Sequence, residues 1–399
     1  MKRREFIEST LAATAVATGT ARPLSANDRI GLAIVGCGGR GGYLLGEALA
    51  AGGVEIVALA DVWRPAREQM AARVKEKTGR EPRLFPRYKD ALALAEVDAV
   101  VIATPDFAHP MVLADAVSTG KDAFVEKPLS ARLEDAVMAT DAVKASGRVV
   151  QVGTQRRSDT RFRMGAERVR AGALGPIASV ESAWHRNVAS WARSADDVRA
   201  EDVDWEQYLM GLPPRPFDAA RLRRWHWYAD YTTGLVGLLG SHVIDVAQWY
   251  MDDPFPAAAV GMGGIFTWKD GREHSDTFEC LYEYPKGWML SFASRLGSGP
   301  ETDYAVFHGC DHSLDTREWT LRPAANRPAA DAQPQPLAVP PRGPSHVAEW
   351  LECVRTRRTP SASIDAGYSH AVACCLARDA ERRGRRMRYD AAARRIVEA

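Results

Sequence analysis

The sequence predicts an α/β protein: a doubly wound parallel sheet, followed by a second α/β domain whose strands are mostly antiparallel. Three observations carry this. From Ile30 onward, short apolar runs alternate with helical stretches. A glycine-rich turn follows the first of those runs. Beyond about residue 153, four successive β-rich runs have no helix between them. Parallel strands need a crossover the length of a helix, whereas strands joined directly pair antiparallel.

The elements follow in order. Residues 30–35 form the first strand, glycines follow, and 41–51 is helical. Strands are expected over 54–60, 97–103, 123–125 and 149–152, separated by helices over 65–77, 110–118 and 131–145. A helix over 160–171 leads into a long strand over 177–184, a loop-rich stretch to residue 230 and a helix around 238–250. Strands over 257–267, 277–284, 287–294 and 305–309 come next. Residues 322–344 hold seven prolines, too many for a regular element, and read as an extended arm. Two helices, 346–356 and 365–383, close the chain. A length of 399 residues fits two domains, over 27–152 and 153–399.

Composition excludes several function classes. With 52 Lys+Arg against 51 Asp+Glu, the net charge of +1 leaves no electrostatic footprint for nucleic acid or an anionic membrane. No H-E-x-x-H or similar spacing points to a metal. Cys37, Cys280, Cys310, Cys353, Cys374 and Cys375 include no C-x-x-C pair, so they read as small buried thiols.

Residues 1–26 are set apart from the fold. Lys2-Arg3-Arg4-Glu5-Phe6-Ile7, a mild apolar run over 10–19 and Leu24-Ser25-Ala26 resemble a twin-arginine export signal, which implies a periplasmic protein. The apolar run is far below the roughly 20 residues of a membrane span, so no integral span is expected in the mature chain.

Gly36-Cys37-Gly38-Gly39-Arg40-Gly41 fits G-x-G-x-x-G directly after a strand and opening a helix. Those glycines let the backbone turn tightly and approach a pyrophosphate on the helix N-terminus. The second strand ends at Asp61, 25 residues after Gly36. A carboxylate there accepts both ribose hydroxyls of NAD and repels a 2′-phosphate, so NAD is favoured over NADP, with Arg64 leaving NADP as the lesser option. This is the fingerprint of a Rossmann domain.

The fifth strand ends in Glu126-Lys127-Pro128. Ligands of open α/β sheets lie beyond the carboxyl ends of the strands, which would project Lys127 into the cofactor crevice, although by spacing alone it reads first as a surface residue. The ordered set changes that. Besides the glycine loop and Asp61, the chain carries Thr104-Pro105-Asp106 with His109, then Glu126-Lys127-Pro128, then Gly153-Thr154-Gln155. Leu174-Gly175-Pro176-Ile177 and Gly240-Ser241-His242-Val243-Ile244-Asp245 complete it. Together these resemble the Gfo/Idh/MocA oxidoreductases, from about Arg29 to Asp390.

The resemblance implies NAD(P)-dependent oxidation of a sugar, cyclitol or related polyol. It makes Lys127 the catalytic lysine and His242 the histidine that takes or relays the hydroxyl proton. Gly36, Gly38, Gly39, Arg40, Gly41, Asp61, Thr104, Pro105, Asp106, His109, Glu126, Lys127 and Gln155 would surround the cofactor. The second sheet would make a homodimer or homotetramer. One position departs from the pattern. Many members carry an acid four residues before the histidine, where this chain has Leu238. Asp245, three residues after His242, can substitute, bind substrate or cap a local bond.

For the carbohydrate itself, aromatic faces suit the apolar faces of sugar rings. Trp227 and Tyr228, in the run Trp225-His226-Trp227-Tyr228-Ala229-Asp230-Tyr231, are candidates, although such aromatics are more often core. Arg157 and His185 are candidates for polar contacts, Arg157 equally for an ion pair; Lys127, His242 and Asp245 complete the substrate set. Three functions follow. The first is an exported dehydrogenase with tightly bound NAD. The second is a redox-neutral glycosidase, lyase or epimerase working through a transient keto-sugar. The third is a sugar-binding protein that keeps the fold without the chemistry.

Overall fold

A computed structural model describes residues 29–324 and 333–399; residues 1–26, which carry the export-like segment, lie outside the described part. The first sheet has six parallel strands: β1 (Ile30–Val35), β2 (Val54–Ala60), β3 (Arg83–Phe85), β4 (Ala99–Ile102), β5 (Asp122–Val125) and β6 (Val150–Val152). Their order is β3-β2-β1-β4-β5-β6. Every residue of β1, β4 and β5 is buried, as expected when helices cover both faces. The order reverses between β1 and β4, which opens a crevice beyond their carboxyl ends. Gly36, Asp61, Ala103 and Glu126 begin the loops there. Strand β3 was not foreseen: it is a three-residue edge element without an apolar run.

The second sheet has ten strands in the order β14-β13-β12-β11-β7-β10-β9-β8-β15-β16. They are β7 (Ile177–Asn187), β8 (Ala258–Gly264), β9 (Thr277–Tyr284), β10 (Trp288–Arg295), β11 (Gly297–Gly309), β12 (His312–Asp315), β13 (Thr320–Pro323), β14 (Gln335–Pro336), β15 (Met387–Asp390) and β16 (Arg395–Glu398). The sheet is mostly antiparallel, as expected; β10 runs parallel to β7, with Leu290 opposite Val180. The long connection between them contains the helix Ser241–Met251, which supplies the crossover. Strand β11 begins earlier than expected: Gly297, in a stretch that reads as a turn, pairs with Asn187, and the register shifts before Thr302 pairs with His185. The chain closes on the hairpin β15–β16 after Gly384 ends the last helix in the left-handed conformation, so Arg378 to Arg395 do not share one helical face.

One face of this sheet is core. Tyr282, Leu290 and Phe292 point under the helices Ser241–Met251 and Ile364–Arg383. The latter helix also reaches the first sheet. Gly367 stands where a Cβ would come within 2.6 Å of Val152, so its lack of a side chain sets how closely the two layers approach. All six cysteines are free thiols; five are buried and Cys310 is exposed. Among the described residues, no helix is long and apolar enough to cross a membrane.

Gly36 has φ of +97°, and a Cβ there would lie 2.5 Å from the Ala103 carbonyl oxygen. Gly36→Ala is therefore expected to cost about 1–3 kcal/mol and lower the melting temperature in a circular-dichroism melt. An unchanged melt would mean that the turn relaxes freely.

Candidate active site

The cleft lies where loops after β1, β2, β4 and β5 meet a segment and a helix from the second half. Gly36 and Gly41 are there for packing: a Cβ on Gly41 would sit 1.9 Å from the Gly36 carbonyl oxygen. Gly38 and Gly39 differ, since nothing lies within 4 Å of a Cβ built on either. Their open side faces the cleft, at the start of the helix Gly39–Ala51, whose N-terminus has no side-chain cap. Uncapped N–H groups at a helix start form an anion site.

Asp61 closes the next loop. Its carboxylate accepts from the backbone N–H of Cys37 at 2.7 Å and of Trp63 at 2.9 Å. Burial pushes its pKa upward, against the pull of those two bonds and of Arg67. Arg64, the residue that kept NADP open, pairs with Asp202 and with Glu68 (3.7 Å). An acceptor carboxylate, an open glycine cradle and a free helix start fit a dinucleotide without a 2′-phosphate. These features line a cavity of about 160 Å³, with Pro105 on its wall.

A second cavity of about 280 Å³ adjoins it through Gly38 and Thr104. Lys127, half-buried after β5, donates from Nζ to the Leu238 carbonyl at 2.7 Å. That carbonyl belongs to a π-helical turn over Val236–Gly240 that leads straight into the helix of His242. Desolvation pulls the Lys127 pKa down, opposed by Asp106 and Glu126. His242 is buried, its Nδ1 has no hydrogen-bond partner, and its ring packs 5.1 Å from that of Trp184. Burial, followed by the charges of Lys127 and Arg156, holds its pKa well below the ordinary histidine value, so the ring is neutral at pH 7.

Around this pair the other expected residues divide. Arg40 donates to Glu126 at 2.6 Å, which leaves the glycine loop tied to the lysine loop. Asp106 is buried and accepts from the Thr232 hydroxyl at 2.7 Å; desolvation raises its pKa to about 7. His109 lines the cavity, but its ring nitrogens lie 2.8 Å from the carbonyl oxygens of Pro128 and Thr104, so it clamps two loops. Gln155 also lines the wall. The remaining substrate candidates stand apart from these cavity walls. Arg157 forms an ion pair with the buried Asp245 at 2.9 Å. Trp227 is buried with its indole N–H on the Ser190 carbonyl, and Tyr228 stacks under Arg221 at 4.2 Å. His185 is buried on β7 and lines neither cavity.

Besides Gln155, Leu238 and His242, the second half contributes walls that the sequence did not single out. Trp225 and His226 stack at 3.7 Å, and Trp191 stacks on the other face of His226 at 5.1 Å. Trp191 holds φ of +64°, a strained value for a tryptophan. Arg193 lines both cavities. The aromatic run was the available signal, but which of its members face the cleft depends on the single 3₁₀ turn over Trp225–Trp227. Among the described residues, no group of three or more His, Cys, Asp or Glu is placed to hold a metal ion.

Residues 30–154 match the model of an oxidoreductase family described as carrying an NAD-binding Rossmann fold. The chain is 34% identical over 243 residues to inositol 2-dehydrogenase of Rubrobacter xylanophilus, covering 56% of this chain and 67% of that one. It is 32% identical over 164 residues to inositol 2-dehydrogenase 3 of Saccharopolyspora erythraea, covering 40% of this chain and 46% of the relative's length. The chain thus spans less than half of that relative. In fold it resembles the WlbA dehydrogenase of Bordetella pertussis, solved with NADH and UDP-GlcNAcA, with a TM-score of 0.71 at 19% identity over 92% of this chain and 99% of that one. The fold and site are those of an NAD-binding Rossmann domain joined to a second α/β unit. The chain belongs to the Gfo/Idh/MocA family.

Two outcomes test this geometry. Asp61→Ala is expected to weaken NADH binding about 10- to 100-fold and to narrow the preference over NADPH, read by fluorescence titration. The carboxyl of Asp106, raised from 3.8 to about 7, disfavours the folded state as pH rises through that window. The melting temperature of Asp106→Asn relative to the parent should therefore climb between pH 4 and 7 and level off above; a constant difference would place the titration elsewhere.

Proposed function

We propose that this chain is an NAD-dependent oxidoreductase acting on a hydroxyl-bearing carbon of a cyclitol, sugar or related polyol. One observation carries the reading: Lys127 and His242 line a single cavity with the open glycine Gly38, and a 2.7 Å bond from Lys127 to the turn before His242 fixes them relative to each other. The names of the relatives support the substrate class.

NAD, when bound, supplies the hydride acceptor. The protein's part is proton management and exclusion of water. His242, kept neutral by burial, has a free lone pair to accept the hydroxyl proton. Lys127, as an ammonium, donates a hydrogen bond to the same oxygen and stabilises the negative charge that grows there. Asp106 and Glu126 keep it charged against the desolvation that would strip its proton. Gln155 and the Trp191–His226–Trp225 stack line the space left for a ring.

Leu238 favours a second reading. With no carboxylate beside His242, the proton has no acidic onward relay at that position, which suits a closed cycle in which the oxidation is reversed before product leaves. Net NADH formation with a polyol supports the first reading; glycoside cleavage or epimerisation without it supports the second.

Two further parts belong to this proposal. Val260, Met262, Leu281 and Met289 are exposed on neighbouring strands β8, β9 and β10, which supports self-association of that sheet face into a dimer or tetramer. The paired arginines Arg3 and Arg4 support export to the periplasm with NAD already bound.

Lys127→Met is expected to lower kcat/KM about 10²- to 10⁴-fold while leaving the fold intact. The pH profile should be bell-shaped. Activity is lost on the acid side only below the ordinary histidine range, because His242 resists protonation. It is lost on the alkaline side below the ordinary lysine range, because Lys127 gives up its proton early. An acid limb near pH 6.5 or above would remove His242 as the base.

A further inference from the structure

The cofactor groove has a second wall that comes from the far half of the chain. Val203 forms an antiparallel bridge with Trp63, directly after the Asp61 turn. The Asp204 N–H donates to the Val62 carbonyl at 3.0 Å. Arg64 pairs with Asp202, and Arg87 with Asp204 at 3.3 Å. The Arg223 guanidinium lies 4.7 Å over the Trp63 ring. Val198 is buried in the same apolar cluster as Trp63, Ala66 and Met70, with Leu222 packed against it. Residues 191–225 are therefore a strap, anchored by backbone, ionic and apolar contacts to the edge of the nucleotide site.

Arg193 sits on that strap with its backbone held at both ends. Its N–H donates to the Trp191 carbonyl at 2.8 Å, and its own carbonyl accepts from Arg224 at 2.6 Å. Its side chain lines both cavities. The residues common to the two linings are Gly38, Ala103, Thr104, Arg193 and Trp225. The junction between a ribose pocket holding Asp61 and a reaction pocket holding Lys127 is where a dinucleotide's pyrophosphate must pass. On one side of that junction is the open helix start at Gly38. Among the described residues no carboxylate lies within ion-pair distance of the Arg193 guanidinium, and Arg223 adds to the positive field around it. A cation anchored by its backbone, lacking an acidic partner and placed at that junction is suited to an anion.

We propose that Arg193 is a cofactor-binding residue whose guanidinium takes the pyrophosphate of the dinucleotide from the side opposite the glycine loop. The nucleotide is then held from both halves of the chain. This rests on the reading of the groove as an NAD site, and the test separates the two.

The full chain, Arg193→Ala and Arg193→Lys are titrated with NADH and, separately, with adenosine, which has no phosphate. Quenching of tryptophan fluorescence reports binding, and a thermal melt of each variant checks the fold. The expected result is a 10- to 100-fold rise in the NADH Kd for Arg193→Ala, about the value of a charge-assisted pair. The rise should be smaller for Arg193→Lys, with adenosine affinity unchanged. An unchanged NADH Kd in Arg193→Ala overturns the proposal. Equal weakening of adenosine and NADH also overturns it, because Arg193 would then shape the strap without touching phosphate. A parent chain that binds no NADH overturns the cofactor reading itself, and this proposal with it.

Discussion

One hydrogen bond across the middle of the molecule organises the site: Lys127 Nζ on the Leu238 carbonyl, 2.7 Å. Its donor stands at the end of a strand in one sheet, and its acceptor lies in the turn that opens the helix of the other half. Because the acceptor is backbone, the position of the lysine is set by the path of the chain and not by a neighbouring carboxylate. A π-helical turn departs from the regular i to i−4 ladder, and such turns recur at functional sites because they offer backbone groups to other partners. Tight packing holds this one. A Cβ on Gly237 would lie 2.0 Å from the Thr233 hydroxyl, and one on Gly240 would lie 2.9 Å from the Phe292 ring.

The charges of the cleft follow from that placement. An ammonium in a half-buried position needs acids near it, and Asp106 and Glu126 lie close enough to oppose its desolvation. Glu126 in turn holds Arg40 of the glycine loop, while Asp106 takes the hydroxyl of Thr232 just before the π turn. Both loops of the nucleotide domain are thus coupled to the lysine, and through Leu238 to His242. The neutral state of His242 comes first from its burial, to which the neighbouring charges of Lys127 and Arg156 add. The Arg157–Asp245 pair lies outside the cavity walls, so it does not replace the acid missing at position 238 as a wall of the cleft.

The second half also shapes the groove at Asp61. It sends a strap back over the first, so the dinucleotide groove is closed by residues far from it in sequence.

What the sequence determined by itself was the part that depends on local rules. Alternating apolar runs and helices specify a parallel sheet, glycines specify the turn after β1, and the carboxyl ends of successive strands specify where Asp61, Thr104 and Lys127 emerge. All of these are consequences of short-range sterics and of the handedness of βαβ units. Tertiary structure decided the rest. Whether Trp225 or Trp227 faces the cleft turns on one 3₁₀ turn; whether Arg157 meets a ligand or Asp245 turns on the packing of distant elements; and Arg193 becomes part of the groove only because Val203 pairs with Trp63, 140 positions earlier in the chain. Contacts at that separation leave no period or motif in the sequence, because the free energy that selects them comes from burial and charge pairing between segments that meet only after both have folded.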